Sequence, residues 1–160
     1  MLAIDPTSRG FGFVVLETPD RLLDWGLRQR LLRSVADFQV LLDFYHPHIL
    51  VVENCSAPGA RRGERARQLI AEATTIAAAE RRIAVRAVAA QDVRKAFGKQ
   101  SPTNKSAMAA TLVERFPELA PHLPRRRKIW MSEDERMAVF DALALVMVSN
   151  EIVGLDRGEA

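Results

Sequence analysis

The chain has 160 residues, 48% of them hydrophobic and 27% charged, which excludes a disordered chain and fits one ordinary domain spanning residues 1–160. Its one cysteine, Cys55, excludes an intrachain disulfide, and His46, His48 and His122 join it at no zinc-ligand spacing, so a reducing cytoplasm is the expected compartment. No run of about 18 apolar residues occurs and no basic stretch precedes an apolar one at the start, so neither membrane insertion nor export is expected.

The predicted elements begin with an apolar run ending at Asp5, a turn-forming PTSRG, and a second run rich in Val and Phe over residues 11–16, which together read as a β-hairpin. Residues 21–28 supply a third strand of the same antiparallel set. Over 31–45 the apolar residues Leu31, Val35, Phe38, Leu41, Leu42 and Tyr45 recur at three- and four-residue steps, a helix that His46-Pro47 ends. The continuous apolar run 48–52 reads as a strand buried on both faces and closes in Glu53. A loop over 54–63 leads to an Ala-rich helix over 64–82, then a fifth strand over 83–88. A short helix over 91–97 stops at Gly98, and Thr103 caps another running to about Phe116. After the Pro-rich, basic PELAPHLPRRRK, the capping-box pattern of Ser132 and Glu135 opens a last helix running to about Val153. No internal repeat or dividing linker interrupts this order.

Two acidic residues that end buried apolar strands need a reason, because a carboxylate loses solvation there unless a cation or strong donors compensate. Neighbouring strands lie about 4.8 Å apart. If the strands of Asp5 and Glu53 are parallel neighbours, their side chains are near enough to share a metal ion. A third acid, Asp141, falls within the apolar stripe Met137, Phe140, Ala144, Leu145 and Val148 of the last helix, so its charge is aimed at the core side. A buried ion pair is the alternative. Three convergent carboxylates make a hard-oxygen site suited to Mg²⁺ or Mn²⁺. Two such ions about 4 Å apart can activate water on one side of a phosphodiester and stabilise the departing oxygen on the other. The net charge of +3 is modest, but the cations are bunched: Arg61, Arg62, Arg65 and Arg67, then Arg94, Lys95, Lys99 and Lys105, then Arg125, Arg126, Arg127 and Lys128. Such bunches suit phosphate backbones, or equally a solvated helix face.

At this point the sequence resembles the RuvC family of Holliday junction resolvases. LAIDPTSRGFGFVVLE is similar to that family's opening hairpin, ILVVEN to its second acidic strand, and FDALALVMV to its terminal helix. Between them, GARRGERARQLIAEA resembles the helix after the second acid, and AAQDVRKAFGKQSPTNKSAMAATLVERF the segment leading to a lysine-containing helix start. The likeness covers most of the chain and keeps motif order. It implies an α/β, RNase H-like fold: a five-stranded mixed sheet, three strands antiparallel and the rest parallel, flanked by helices. It implies metal-dependent cleavage of branched DNA, with catalytic, metal-binding carboxylates at Asp5, Glu53 and Asp141 and a phosphate-contacting lysine at Lys105. Arg61, Arg62, Arg65, Lys95 and Lys99 are further candidates for DNA contact. Paired nicks across a four-way junction need two sites related by a two-fold axis, so a homodimer is expected, with the helix after Glu53 its interface by resemblance.

Two positions depart from the family pattern. Where the family has Asp or His three residues before the final Asp, this chain has Ala138. Asp134, seven residues before Asp141, stands about 20° away around the helix and about 10 Å along it. It is either a displaced fourth metal ligand or an acid serving the helix N-terminus. The segment NCSAPGA also lacks the aromatic residue that such resolvases carry after the second acid. A YqgF-like nuclease acting in RNA processing and a nucleic-acid-binding module with a partly degenerate site remain alternatives, whereas an actin-like ATPase needs two related halves that 160 residues without a repeat do not hold.

Overall fold

The structure, a computed structural model, describes residues 1–98, 105–125 and 130–158; Lys99 and Thr103 lie outside them. Strands β1 (Leu2–Pro6), β2 (Phe11–Thr18) and β3 (Arg21–Arg28) form an antiparallel meander, and β4 (Ile49–Glu53) and β5 (Ala84–Val88) extend it in parallel, giving the order β3-β2-β1-β4-β5. Helix α1 (Ser34–Tyr45) follows one 3-10 turn, Leu31–Arg33, and α2 (Glu64–Thr75) lies between β4 and β5. Helices α3 (Ala90–Phe97), α4 (Lys105–Arg115) and α5 (Met137–Gly158) complete the chain, with a 3-10 segment at Pro117–His122. No helix among the described residues is long and apolar enough to cross a membrane.

Alternation along the strands sorts the core into two layers. Leu2, Ile4, Phe13, Val15, Leu50 and Val52 face α1 and α2, where they meet Phe38, Leu42, Leu69 and Ala73. Ala3, Val14, Leu16, Val51 and Val88 face the other way, against Met108 and Leu112 of α4 and the length of α5. Between residues 137 and 149, α5 is buried at every position except Asp141. This is the apolar-all-round pattern of a helix enclosed by sheet on one side and other helices on the other. Cutting a buried ring such as Phe140 back to Ala costs roughly 3–5 kcal/mol in sites of this kind.

Two expected helix ends differ. The helix over 64–82 is α-helical only to Thr75 and then widens into a π turn, Ile76–Glu80, in which the Arg81 amide donates to the Ile76 carbonyl at 3.0 Å. The turn keeps Ile76 and Ala77 buried, and Arg82 at φ 55° redirects the chain into β5. The last helix starts at Met137 rather than at Ser132. The capping box does not close: the Glu135 carboxylate accepts from Arg9 at 3.2 Å and from Gln29, and the Asp134 side chain instead accepts the Arg136 amide at 3.0 Å.

Candidate active site

Parallel pairing of β1 with β4 aligns Leu2 with Leu50 and Ala3 with Val51, and continuing that register by two residues brings Asp5 level with Glu53. Both acids follow, at a two-residue step, residues that face α5, namely Ala3 and Val51. Asp141 comes to them from above, at the one position where the buried stretch of α5 reaches the surface. The three carboxylates line one cleft of about 470 Å³, together with Arg61, Arg62 and Lys105. Asp5 is 3% exposed and Glu53 9%.

Arg62 holds the first two acids. Its Nη2 donates to Asp5, its Nε to Glu53 Oε2 at 3.2 Å, and its Nη1 to the Pro6 carbonyl at 3.2 Å. The loop before α2 delivers it: Arg67 Nε donates back to the Arg62 carbonyl at 3.0 Å, fixing the backbone one turn ahead of the helix. On the opposite side, Lys105 Nζ at the start of α4 donates to Asp141 Oδ2 at 2.9 Å and to Glu133 Oε1 at 2.7 Å.

Burial and the neighbouring charge of Asp141 push the Asp5 carboxyl up to about 8, against the pull of Arg62 and Lys105. Burial raises Asp141 as well, with Lys105 opposing. For Lys105, burial disfavours the ammonium, but the charge of Asp141 and the bonds to Glu133 and Asp141 outweigh it and raise its pKa. Arg62 follows the same logic, its burial outweighed by the charges of Asp5 and Glu53. Removed from water, the acids demand positive charge, and Arg62 and Lys105 supply it here.

In this arrangement no three acidic, histidine or cysteine side chains among the described residues stand close enough to share an ion, because the guanidinium separates Asp5 from Glu53. The donor chemistry still fits a hard divalent cation: Asp5, Glu53 and Asp141 are oxygen donors around one cleft, and a positive group already stands between two of them.

The other sequence-derived candidates divide. Arg61 lines the cleft, whereas Arg65 borders a separate hollow with Thr7 and Leu69, and Lys95 lies exposed on α3. The Asp134 carboxylate is bound to Arg136 at 2.7 Å, caps the start of α5, and is not among the cleft-lining residues. Sequence reasoning named Arg94 only as one of a bunch of cations, and it missed Glu133. Arg94 lines the cleft beside Ala90, Val93 and Phe97, a step of three, four and seven along α3 that a helical wheel would have singled out. Glu133, which holds Lys105, carries no local signal because its partner is 28 residues away.

No protein-family model matches the sequence, and no curated protein matches it. Solved structures do. The chain is similar to Thermus thermophilus RuvC, with 19% identity and a TM-score of 0.64 over 98% of this chain and 97% of that one. It is also similar to T. thermophilus RuvC in complex with a Holliday junction substrate, with 19% identity and a TM-score of 0.66 over 97% of this chain and 96% of that one. The likeness over nearly the whole of both chains shows that this chain shares the fold of those neighbours, an α/β fold with its mixed five-stranded sheet flanked by helices.

Proposed function

We propose that this chain is a divalent-metal-dependent endonuclease acting on branched DNA, in the manner of a Holliday junction resolvase. The observation that carries the reading is the convergence of Asp5, Glu53 and Asp141 from two parallel strands and one buried helix on a single cleft. Asp5, Glu53 and Asp141 would hold Mg²⁺ or Mn²⁺, two ions per site. When bound, such ions supply water activation and leaving-group stabilisation for phosphodiester hydrolysis.

The remaining residues follow from their positions. With the acids occupied by ions, Arg62 would be free to exchange its carboxylate partners for phosphate oxygens, which a planar guanidinium binds equally well. Lys105, tethered by Glu133, meets a phosphate oxygen at the opposite wall. Arg61 and Arg94 line the same cleft, and Arg65 and Lys95, outside it, serve the backbone of a longer substrate. These contacts fix register and affinity. The solved complex of T. thermophilus RuvC with a Holliday junction supports a four-way junction as the substrate to try first.

Paired incision calls for a homodimer. The exposed side of α2 is polar, whereas α1 beside it presents Val40 at 61% and Phe44 at 73% exposure, one turn apart, and Leu32 just before α1 is 100% exposed. This apolar ridge supports a two-fold contact through the α1–α2 layer.

A second reading, a nucleic-acid-binding module without catalysis, is favoured by the ion pairs that neutralise the acids in place. Labelled four-way junction, flap, duplex and RNA substrates incubated with Mg²⁺ or Mn²⁺ separate the two. Symmetric nicks in the junction support the nuclease reading, and tight binding with no cut in either metal supports the module.

A further inference from the structure

We propose that the apolar half of the cleft is a nucleobase pocket, with Phe97 as its stacking face, which takes the base next to the phosphate held by the charged half; the inference rests on the nuclease reading above.

The cleft has two unlike halves. One holds Asp5, Glu53 and Asp141 with their cations, and the other is lined by Ala90, Val93, Phe97, Met108 and Leu145. Helical spacing sets the halves side by side. Leu145 stands four residues beyond Asp141 on α5, and Met108 three beyond Lys105 on α4, each about one turn, roughly 5.4 Å, from its charged neighbour on the same face. Ala90, Val93 and Phe97 recur at steps of three and four along α3, and α3 and α4 both pack against α5. Leu145 and Met108 belong to the core, whereas Val93 and Phe97 are only partly buried and border the cleft.

Backbone contacts do not account for this wall. Phosphates are gripped by charged and hydrogen-bonding groups, and an apolar lining adds nothing to that grip. The volume of about 470 Å³ falls among pockets that enclose a small organic molecule, about 300–1,000 Å³. Charge then chooses the occupant. Arg61, Arg62, Arg94 and Lys105 line the same cleft, so an apolar peptide or an acyl chain would bury four cations without supplying an anion. A nucleobase brings its own phosphate, held one deoxyribose away. Inside a duplex both faces of a base are already stacked, so the pocket takes a base only from an open step such as a crossover, a flap or a single strand. The five lining side chains carry no hydrogen-bonding group, so they meet the face of a base and leave its edge unread. Phe97 is thus a specificity-determining residue for open DNA, tolerant of which base is offered.

The test uses the full chain in Ca²⁺ with two single-stranded oligonucleotides of equal phosphate count, one carrying all its bases and one built of abasic residues, and with a four-way junction. Anisotropy gives the affinities of the parent, Phe97→Ala, Phe97→Leu and Phe97→Tyr, and a thermal transition shows that each is folded. The parent should bind the complete strand more tightly than the abasic one. Phe97→Ala should weaken binding of the complete strand by about 5- to 150-fold while changing the abasic strand less than twofold. Phe97→Leu, which keeps the apolar packing and covers the case in which the alanine variant does not fold, should lose affinity in the same direction, and Phe97→Tyr should keep most of it. Equal affinity of the parent for the two strands, equal loss on both strands in folded Phe97→Leu, or no loss in any variant overturns the proposal and leaves the nuclease reading in place. Failure of the parent to bind either strand overturns it as well, and failure to bind the junction too overturns both readings.

Discussion

The guanidinium of Arg62 lies against the carboxylate of Asp5 and reaches Glu53 Oε2 at 3.2 Å, so one side chain spans the two acids that the parallel strands bring level. A cation between two buried carboxylates is what their desolvation requires, and a divalent ion satisfies the same demand with more charge in less space. On the proposed function, Arg62 and a metal ion would compete for Asp5 and Glu53.

The competition has a measurable sign. In Arg62→Gln, Mn²⁺ or Ca²⁺ binding in the absence of DNA should tighten several-fold by calorimetry, while affinity for junction DNA falls. Unchanged or weaker ion binding in this variant would show that the guanidinium does not stand in the ion's place.

Asp134 and Glu133 separate two roles that adjacent acids invite one to merge. Asp134→Ala removes the side chain that accepts the Arg136 amide and should cost about 0.5–2 kcal/mol of stability, with cleavage retained. Glu133→Gln leaves the fold nearly unchanged but loosens Lys105 at the cleft, so junction affinity should drop while ion binding stays. Denaturant titration beside a binding isotherm reads both, and complete loss of cleavage in a folded Asp134→Ala protein would make Asp134 a metal ligand after all.

Gly12 fixes how closely α5 approaches the sheet. A Cβ there would lie 2.6 Å from the Ala138 Cβ and 2.7 Å from the Ala138 carbonyl carbon. Gly12 pairs with Asp5 across β1 and β2, so this contact sets the height of α5 over the acids. Gly12→Ala should destabilise the protein by about 1–3 kcal/mol, as overpacking of a filled core does. A thermal transition within one degree of the parent would refute the close approach.

Glu135 ties α5 to the β1–β2 turn and should make that tie pH-dependent. Hydrogen bonds from Arg9, Ser8 and Gln29 hold its carboxyl below the usual glutamate value. A depressed folded pKa contributes stability that is present above the unfolded value and lost as pH falls through the folded one. The melting-temperature difference between the parent and Glu135→Gln should therefore be largest near neutral pH and vanish toward pH 3. A difference that persists unchanged in acid would place the effect elsewhere.

Much of the sheet was legible because its strands carry the pattern that burial imposes. The run ending at Glu53 is apolar on both faces and lies inside the sheet, and the hairpin around PTSRG pairs with Pro6 opposite Phe11. Asp141 could be read from a helical period alone, since the residues around it are apolar at every turn. What escaped depends on tertiary partners. The start of α5 moved because Glu135 bonds to Arg9 and Gln29, 126 and 106 residues away, and no local capping rule contains that competition. Arg62 was legible as a cation near the second acid, but not as the group bridging both acids, since that depends on β1 and β4 being neighbours.

The central claim is that Asp5, Glu53 and Asp141 form one metal-dependent nuclease site, and Asp141→Asn tests it most directly. The amide keeps the shape and removes the charge that would hold an ion, while the lysine and arginine contacts to phosphate are left in place. Cleavage of a labelled four-way junction in Mg²⁺ or Mn²⁺ should fall to background, with the binding isotherm in Ca²⁺ changed by less than about threefold. Cleavage at the parent rate by Asp141→Asn would contradict the account.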